Sequence, residues 1–393
     1  MKEPHMRKWT QLLLFVFILS ALQLKVTASN GNEYVSEVVG LYQSADYLNQ
    51  DSPDWELMKK RVKVKGIYMT GNTVGYKERF DKLINLVKTT EINAVVIDVK
   101  DDTGLMTYTS SLPEVSFTGA NRNVRIKDIN AVMKILRENN IYSIARIVTF
   151  KDRTAGDKYA NLAVKNTGGG VWRDRHGMSW LNPYNKDSWN YIVNIAEEAA
   201  ATGFDEIQFD YVRFPTDGDV KLIDYGSNAK GKTKAETIAE FLSYARGRLS
   251  QKGVVVSADV FGLVTTVADD MKIGQHLESI AGSVDVVCPM VYPSHYGKGS
   301  YGVAEPDFEP YKIVNRSVGV AEQRIGAMKG ASRKAVLRPW LQDFTASYLP
   351  KYKKYGPAEV RAQIKAAYDA GAEEWLLWNA GNKFTAGALD KEL

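Results

Sequence analysis

The sequence predicts an α/β fold, a single (β/α)8 TIM barrel that follows an N-terminal leader. Between residues 62 and 381, eight short β-rich runs alternate with seven amphipathic helical stretches, which is the pattern of a parallel sheet with helical crossovers. Eight such units within about 330 residues fit the size range of these barrels. The alternative is an open doubly wound sheet, but the sequence lacks the glycine-rich dinucleotide loop that such sheets often carry.

The predicted elements follow one another in a regular order. Each strand is a short run rich in β-branched and aromatic residues, and each helix carries apolar residues at helical spacing. The strands lie at 62–70, 92–101, 141–150, 203–215, 254–262, 284–294, 335–344 and 373–381. The helices lie at 76–90, 127–140, 188–202, 237–253, 271–282, 307–328 and 357–371. The barrel domain is therefore expected to occupy residues 61–393.

A secretory leader is predicted at the N-terminus. Lys2 and Arg7 precede the apolar run "QLLLFVFILSALQL", and a short stretch with small residues follows it and ends at Ala28. A basic start, an apolar run and small residues before the cleavage point are typical of a signal peptide, here over residues 1–28. We therefore expect an extracytoplasmic bacterial protein, secreted or associated with the cell envelope, with residues 29–60 as a linker. The alternative is an uncleaved leader that tethers the protein to the membrane, although a spanning helix usually needs about 20 apolar residues.

The rest of the chain has a small net charge and one cysteine. Loss of the leader removes four basic residues and one acidic residue, so the formal charge falls from +5 to +2. A net charge this small, without a basic tract, gives no reason to expect nucleic acid as a partner. We expect a monomer as the default oligomeric state. Cys288 lies in the apolar run "VDVVCPMVY", so we expect a buried thiol rather than a nucleophile.

Four long connections follow predicted strands and indicate the functional face of the barrel. They are 101–124, 151–187, 214–233 and 293–307. The loops after the strands carry the active site in barrels of this kind, and loops beyond about 12 residues tend to be functional or disordered. The second connection contains "NTGGGVWRDRHGMSWLNPYN", whose glycines and tryptophans favour a ligand-binding wall over an unstructured insertion.

Polar side chains at the strand ends are expected to form a ring that faces the barrel axis. Alternation along the fourth strand turns Gln208 and Asp210 toward the axis and Phe209 toward the helices. Other strands and their loops add further candidate site residues: Asp98, Lys100, Asp101, Arg146, Trp180, Arg213, Asp259, Tyr292, Arg338, Trp340, Gln342, Trp378 and Asn379. Unpaired carboxylates are costly in a dry core. Several carboxylates close together are therefore expected to line a cavity or to form an ion-pair network. One such network would join Asp210 to Arg213 or to Arg146.

The residue types in this ring favour chemistry by carboxylates. Metal hydrolases need clustered histidines, and His176, His276 and His295 contain no HxH pair. A radical cluster needs three cysteines, and a Schiff-base aldolase would have only Lys100 as an axial lysine. The acidic loops "DVKDDTG" and "PTDGDV" lack the spacing of an EF-hand. No metal and no cofactor are therefore expected, and paired carboxylates beside aromatic rings suit glycoside hydrolysis.

Six segments of the chain carry a resemblance to a known family. They are "KGIYMTGNTVG", "NAVVIDVKDDTG", "WLNPYN", "FDEIQFDYVRFPTDG", "VSADVFG" and "CPMVYPSHY", and "FDYVRFP" is the most specific of them. Together they resemble the bacterial "putative glycoside hydrolase domain" family, a barrel family of largely unassigned substrate. The resemblance spans about residues 62 to 381 and implies a hydrolase that acts on a carbohydrate substrate.

Asp210 and Asp259 are the predicted catalytic pair. They end neighbouring strands about 4.8 Å apart, a spacing that favours a retaining over an inverting mechanism. We expect Asp210 to be the nucleophile, kept ionised by Arg213 or Arg146. We expect Asp259 to be the acid/base, with a pKa raised by apolar neighbours.

Other assignments stay open. Asp98 and Asp101 form a competing acidic pair that could serve as the acid or as a clamp on sugar hydroxyls. The expected aromatic platforms for sugar rings include Trp180, Tyr292, Trp340 and Trp378. A second class of function is a non-catalytic glycan-binding barrel of the cell envelope, and a third is an exported scaffold protein.

Overall fold

The structure is a computed structural model that describes residues 61–329 and 334–390. The predicted signal peptide, 1–28, and linker, 29–60, lie outside the described residues. All of the described residues belong to the unit Ser52–Leu393.

Eight parallel strands form a closed barrel, which confirms the predicted fold. The strands are β1 Lys65–Met69, β2 Ala94–Lys100, β3 Tyr142–Val148, β4 Glu206–Asp210, β5 Val255–Phe261, β6 Val286–Val291, β7 in two segments, Val336–Leu337 and Trp340–Gln342, and β8 Trp375–Trp378. The sheet closes because β1 pairs with both β2 and β8, while β6 pairs with both segments of β7.

Helices α1 to α7 follow strands β1 to β7 in turn. They are α1 Lys77–Lys88, α2 Ile129–Glu138, α3 Lys186–Thr202, α4 Lys234–Ser250, α5 Leu277–Ala281, α6 Pro310–Ala327 and α7 Pro357–Asp369. Local sequence sets several starts: Asp128 caps α2, and Thr233 forms a capping box with Glu236 on α4. Within the part of the chain that the structure describes, no helix is long and apolar enough to cross a membrane.

Helix α5 is shorter than the sequence predicts. Its amphipathic stretch was expected from residue 271, but Met271 and Lys272 have φ of 53° and 60°, in the left-handed region. A turn therefore precedes the helix, which begins only at Leu277.

The loops after β3 and β4 are joined to each other. Lys165–Asn166 in the first loop pairs antiparallel with Ile223–Asp224 in the second. Backbone hydrogen bonds therefore hold the two long connections to each other at this point.

Two apolar clusters stabilise the fold. The larger one lies between the strands and the surrounding helices. The smaller one comes from alternate strand residues that face the axis: Val64, Tyr68, Ala94, Val96, Ile144, Val255, Val286, Cys288, Tyr292, Trp340 and Leu376. The predicted buried thiol of Cys288 is confirmed, and burial raises its pKa well above the ordinary value.

Candidate active site

A group of charged side chains meets at the carboxyl ends of β2, β3 and β4. Arg146 donates from Nε and Nη2 to Asp210 Oδ2 at 2.9 and 2.6 Å. Its Nη1 donates to Asp98 Oδ1 at 2.7 Å, and Nη2 also reaches Asp102 Oδ1 at 3.0 Å. The hydroxyl of Tyr68 donates to the second oxygen of Asp98 at 2.6 Å. One guanidinium therefore serves three carboxylates.

Asp259 lies beside Asp210 on the neighbouring strand. The pairing of β4 with β5 runs through Phe209 and Ala258, so the two acids come next on their strands, on the axis side. The indole Nε1 of Trp340 donates to Asp259 Oδ1 at 2.7 Å. Asp259 is only 2% exposed. Asp210 and Asp259 thus lie at equivalent positions on neighbouring strands, but Arg146 binds the first and Trp340 binds the second.

Burial raises the pKa of two of the acids, Asp259 and Asp98. Burial, and then the negative charge of Asp210, raise the pKa of Asp259 well above the ordinary value. Burial also raises the pKa of Asp98 to about 6, against the lowering effect of Arg146 and the Tyr68 hydroxyl. Arg146 supplies the counter-charge for the Asp210 carboxylate. The arrangement therefore favours the protonated form of Asp259 next to Asp210, which is ion-paired to Arg146.

The backbone directly after Asp210 is strained. Tyr211 has a φ of 51°, in the left-handed region that disfavours residues with a Cβ. Its N–H donates to Asp210 Oδ1 at 2.6 Å. Such strain costs on the order of 1 kcal/mol and is found preferentially at functional sites. The Tyr211 N–H thus binds the carboxylate oxygen of Asp210 that Arg146 does not contact.

Aromatic rings form a floor beside the acids. Tyr68 stacks on Trp378 with ring centroids 4.1 Å apart and planes 19° apart. Trp340 meets Trp378 edge-on at 5.6 Å, and Tyr292 meets Phe344 edge-on at 6.0 Å. Trp378 and Phe344 are half-buried, so each exposes part of its surface at the mouth. Rings in this position can stack against the apolar face of a sugar.

Arg213 and Trp180 lie above the ends of β4 and β5 but do not hold the acids. The guanidinium of Arg213 lies over the rings of Trp180, Tyr211 and Phe261. Trp180 is buried, and its Nε1 donates to Asp174 Oδ2 at 3.1 Å. Of the two arginines expected to pair with the candidate nucleophile, Arg146 makes the ion pair.

Lys100 does not face the mouth, so its prediction as a substrate-binding residue is wrong. A bulge between Asp98 and Lys100 shifts the register of β2 and turns Lys100 toward the helices. There its Nζ forms a fully buried ion pair with Asp152 at 2.7 Å and donates to the carbonyl of Val148 at 2.6 Å. The ring of Tyr191 in α3 lies 6.0 Å away.

Arg338 and Gln208 face the axis as expected, but below the mouth. Arg338 is fully buried and pairs with Glu206 at 2.7 Å and with Glu374 at 2.8 Å, at the amino-terminal end of the barrel. Gln208 lies one layer under the acids and donates to Cys288 Sγ at 3.4 Å. Neither side chain reaches a substrate at the strand ends, which corrects the prediction for both.

Gln342 and Asn379 order the surrounding loops instead of pointing to a ligand. Gln342 Oε1 accepts from the N–H of Ser294 at 3.0 Å, and its Nε2 donates to the carbonyl of Phe344 at 3.0 Å. Asn379 Nδ2 donates to the carbonyl of Lys383 at 2.8 Å. Their amides are therefore occupied within the protein, so they are removed from the candidate substrate contacts.

In the loop after β2, the neighbour of the predicted acid reaches the site. Asp101 Oδ1 accepts from the backbone N–H groups of Thr103 and Leu105, so it shapes the turn. Asp102 instead bonds Arg146, and half of its side chain is exposed. Sequence reasoning missed both Asp102 and Tyr68. The signals were the double acid of "DVKDDTG" and the inward alternation of the first strand.

Carboxylates and aromatic rings that meet at the carboxyl end of a closed (β/α)8 barrel are typical of barrel glycosidases. The sequence profile of the family described as "putative glycosyl hydrolase domain" matches residues 66–384, and the chain belongs to that family. The resemblance seen in the sequence is thereby confirmed. Among the curated proteins, no significant match is found.

Solved structures show similar chains. A hypothetical protein from Ruminiclostridium thermocellum is 48% identical over 49% of this chain and 97% of its own, with a TM-score of 0.45. The glycoside hydrolase domain of PgaB (BpsB) from Bordetella bronchiseptica is 16% identical, with a TM-score of 0.58 over 81% of this chain and 94% of that domain. The spore cortex-lytic enzyme SleL of Bacillus megaterium is 13% identical over 83% of this chain and 73% of its own, with a TM-score of 0.49. At such identity, the PgaB comparison shows the shared fold.

Proposed function

We propose that the protein is an exported glycoside hydrolase that cleaves a glycosidic bond in a poly- or oligosaccharide with Asp210 and Asp259. The observation that carries the proposal is the pairing of two neighbouring acids in opposite environments. Asp210 is ion-paired to Arg146, and Asp259 is buried and forms no ion pair among the residues that the structure describes. An ion-paired carboxylate beside a carboxyl group that favours its protonated form is what glycoside hydrolysis requires.

The two acids divide the reaction between them. The carboxylate of Asp210 attacks the anomeric carbon as the protonated Asp259 transfers its proton to the departing glycosidic oxygen, so the glycosidic bond breaks and a glycosyl ester forms. Asp259, now ionised, then takes a proton from water, whose oxygen attacks the anomeric carbon and releases Asp210. Neighbouring strands lie about 4.8 Å apart, which suits this retaining sequence better than an inverting one.

The mouth supplies groups for substrate binding. Trp378 and Phe344, which are both half-buried, offer aromatic surface at the mouth. Asp98 and Asp102, both bonded to Arg146, are placed to accept hydrogen bonds from sugar hydroxyls. The half-exposed Asp102 is the more accessible of the two.

Hydrolysis of a polysaccharide panel tests the assignment. Reducing ends released by wild type, Asp210→Asn and Asp259→Asn are compared, with the exposed Asp81→Asn in α1 as the matched control. We expect at least a 100-fold loss of rate in both site variants and no loss in the control. Unchanged rates in both site variants would remove the catalytic assignment.

A non-catalytic glycan-binding barrel is the second candidate. The near-complete burial of Asp259 and its hydrogen bond from Trp340 favour it, because both restrict access to the acid. Binding and turnover are measured separately on wild type and Asp210→Asn. A hydrolase gives turnover that the variant loses while it still binds glycan. Glycan binding by wild type without turnover of any tested substrate supports the binder.

Export is tested on the protein itself. The signal-peptide pattern of residues 1–28 predicts a mature N-terminus at Ser29. N-terminal sequencing of the protein from the extracytoplasmic fraction of a bacterial host checks this. An intact N-terminus in the membrane fraction would instead support the tethered form.

A further inference from the structure

A second arginine lies at the mouth in an environment unlike that of Arg146. Arg213 is surrounded by three aromatic rings: its guanidinium carbon is 5.0 Å from the ring centroid of Trp180, 5.2 Å from Tyr211 and 4.8 Å from Phe261. These four residues are called the Arg213 cluster below. The rings fix the plane and the position of the guanidinium.

The cluster borders the candidate catalytic pair. Tyr211 directly follows Asp210, and Phe261 comes two residues after Asp259 at the end of β5. Both rings are half-buried, so the cluster opens to solvent at the mouth. Lys151 adds a second positive charge, with its Nζ 4.6 Å from the centroid of the Tyr211 ring.

The charge of Arg213 is not balanced by a carboxylate. Its Nη1 donates to the carbonyl of Phe214 at 3.0 Å and to the hydroxyl of Thr216 at 3.3 Å, both neutral groups. Among residues 61–329 and 334–390, neither Arg213 nor Lys151 forms an ion pair with an acid. Arg213 is nevertheless only 7% exposed, and burial lowers its pKa.

The nearby acids are engaged elsewhere. Asp210 is bound by Arg146, and Asp174 accepts from the indole of Trp180 and from backbone N–H groups. Asp217 pairs with Arg175. The acids near Arg213 already have other partners, and its guanidinium is largely removed from water. An anionic group of a bound ligand would therefore stabilise this guanidinium most.

We propose that the Arg213 cluster binds the carboxylate of an acidic sugar residue next to the scissile bond. The inference rests on the proposed glycoside hydrolase function and names its substrate class, a glycan that contains uronic acid or another carboxylated sugar. The planar guanidinium matches a carboxylate through two parallel hydrogen bonds, while Tyr211 and Phe261 contact the apolar face of the ring. Lys151 lies over the ring of Tyr211 in the same cluster and adds a second cation.

Binding of matched monosaccharides to the wild-type protein is the first test. Glucuronate and glucose differ only at C6, and their dissociation constants are measured by ligand-observed NMR at pH 7. We expect glucuronate to bind about tenfold more tightly or better, as a charge-assisted contact implies. Glucose 6-sulfate serves as a second anion and is expected to bind more weakly than glucuronate. Tighter binding of the sulfate would overturn the assignment to a carboxylate.

Variants then locate the effect. Arg213→Gln is expected to bring glucuronate affinity to that of glucose, and Arg213→Lys to retain part of the difference. Arg175→Gln, an exposed arginine of the same side of the barrel, is the matched control and is expected to keep the wild-type preference. Thermal unfolding confirms that each variant is folded. A full preference for glucuronate in folded Arg213→Gln would place the acid-binding site elsewhere.

The outcomes separate this inference from the proposed function. Equal wild-type affinity for glucuronate and glucose would overturn the acidic-sugar inference, while a loss of hydrolysis in Asp210→Asn would still support the hydrolase. Preferred binding of glucuronate that requires Arg213, without hydrolysis of any glycan, would retain the cluster as a binding site and overturn the hydrolase.

Discussion

At the scale of single residues, the charge balance of the mouth centres on Arg146. Its guanidinium contacts Asp98, Asp102 and Asp210. Within residues 61–329 and 334–390, the side chain of Asp259 receives only the neutral indole N–H of Trp340. Removing a carboxylate from water without a cation is costly, so Asp259 is the acid that favours its protonated form.

The pH dependence of hydrolysis follows from this difference. In the proposed mechanism Asp259, whose pKa is raised, gives its proton to the leaving oxygen, so kcat should fall as the pH rises through that pKa. A pH profile of kcat on a natural glycan measures the decline. An aryl glycoside whose leaving group needs no proton is the control, and its profile should be flatter on the alkaline side. A rate that increases with pH for the natural glycan would contradict the role of Asp259.

At the scale of elements, the bulge in β2 decides which residues serve the site. Regular alternation would place Asp98 and Lys100 on one face, but the extra residue between them sends Lys100 to the helix side. The lysine then stabilises the start of the loop after β3, since its partner Asp152 also caps the short helix Arg153–Lys158. Strand β2 thus contributes Asp98 to the mouth of the barrel, and it contributes Lys100 to the anchoring of the loop after β3.

Loss of this buried pair should destabilise the fold. Lys100→Met leaves the Asp152 carboxylate buried without its cation, and we expect the free energy of unfolding to fall by about 3–5 kcal/mol in urea titrations. Lys100→Met/Asp152→Asn should recover part of the loss, because asparagine can keep the helix cap. Lys63→Met, from an exposed ion pair, should change stability by less than about 1 kcal/mol. Wild-type stability in Lys100→Met would contradict the structural role of the pair.

At the scale of the whole molecule, the two ends of the barrel hold different kinds of charge. At the amino-terminal end, Arg338 is balanced by Glu206 and Glu374 in a buried ion-pair group. At the carboxyl end, Asp259 is buried next to the like charge of Asp210. At the first end the buried carboxylates are paired with arginines, whereas at the second a buried carboxyl group faces a like charge, which costs stability.

Substitutions at the two ends should therefore have opposite effects. Arg338→Met should lower the free energy of unfolding by about 3–5 kcal/mol, since Glu206 loses its cation and Glu374 keeps only Arg61, while the kcat of the folded enzyme stays near wild type. Asp259→Asn should abolish hydrolysis and raise the Tm at pH 7. Because the folded-state pKa of Asp259 lies above its unfolded value, its stability contribution is lost as pH rises, so the advantage of asparagine should grow from pH 4 upward. If the Asp259→Asn protein were less stable than wild type from pH 4 to pH 7, the claim that this buried acid lowers the stability of the fold would be contradicted.

The sequence predicts the large features of this molecule better than their details. The alternation of β-rich and helical runs predicted the barrel and the axis-facing positions of Asp210 and Asp259, because a strand has a period of two. The orientation of Lys100 depends on a one-residue bulge, and the depth of Arg338 depends on how neighbouring strands are staggered. Neither property is encoded in the period of a single strand. The hydrogen bond from the Ser294 N–H to the side chain of Gln342 depends on a contact between segments that are far apart in the sequence.

A crystal structure of Asp210→Asn with an oligosaccharide that wild type cleaves tests the central claim most directly. We predict that the glycosidic oxygen lies within hydrogen-bond distance of Asp259 and that the anomeric carbon faces residue 210. The adjoining sugar should rest on the ring of Trp378. An oligosaccharide bound across the strand ends with its glycosidic bonds remote from both residues, or bound away from the mouth, would contradict the assignment of these acids to sugar cleavage.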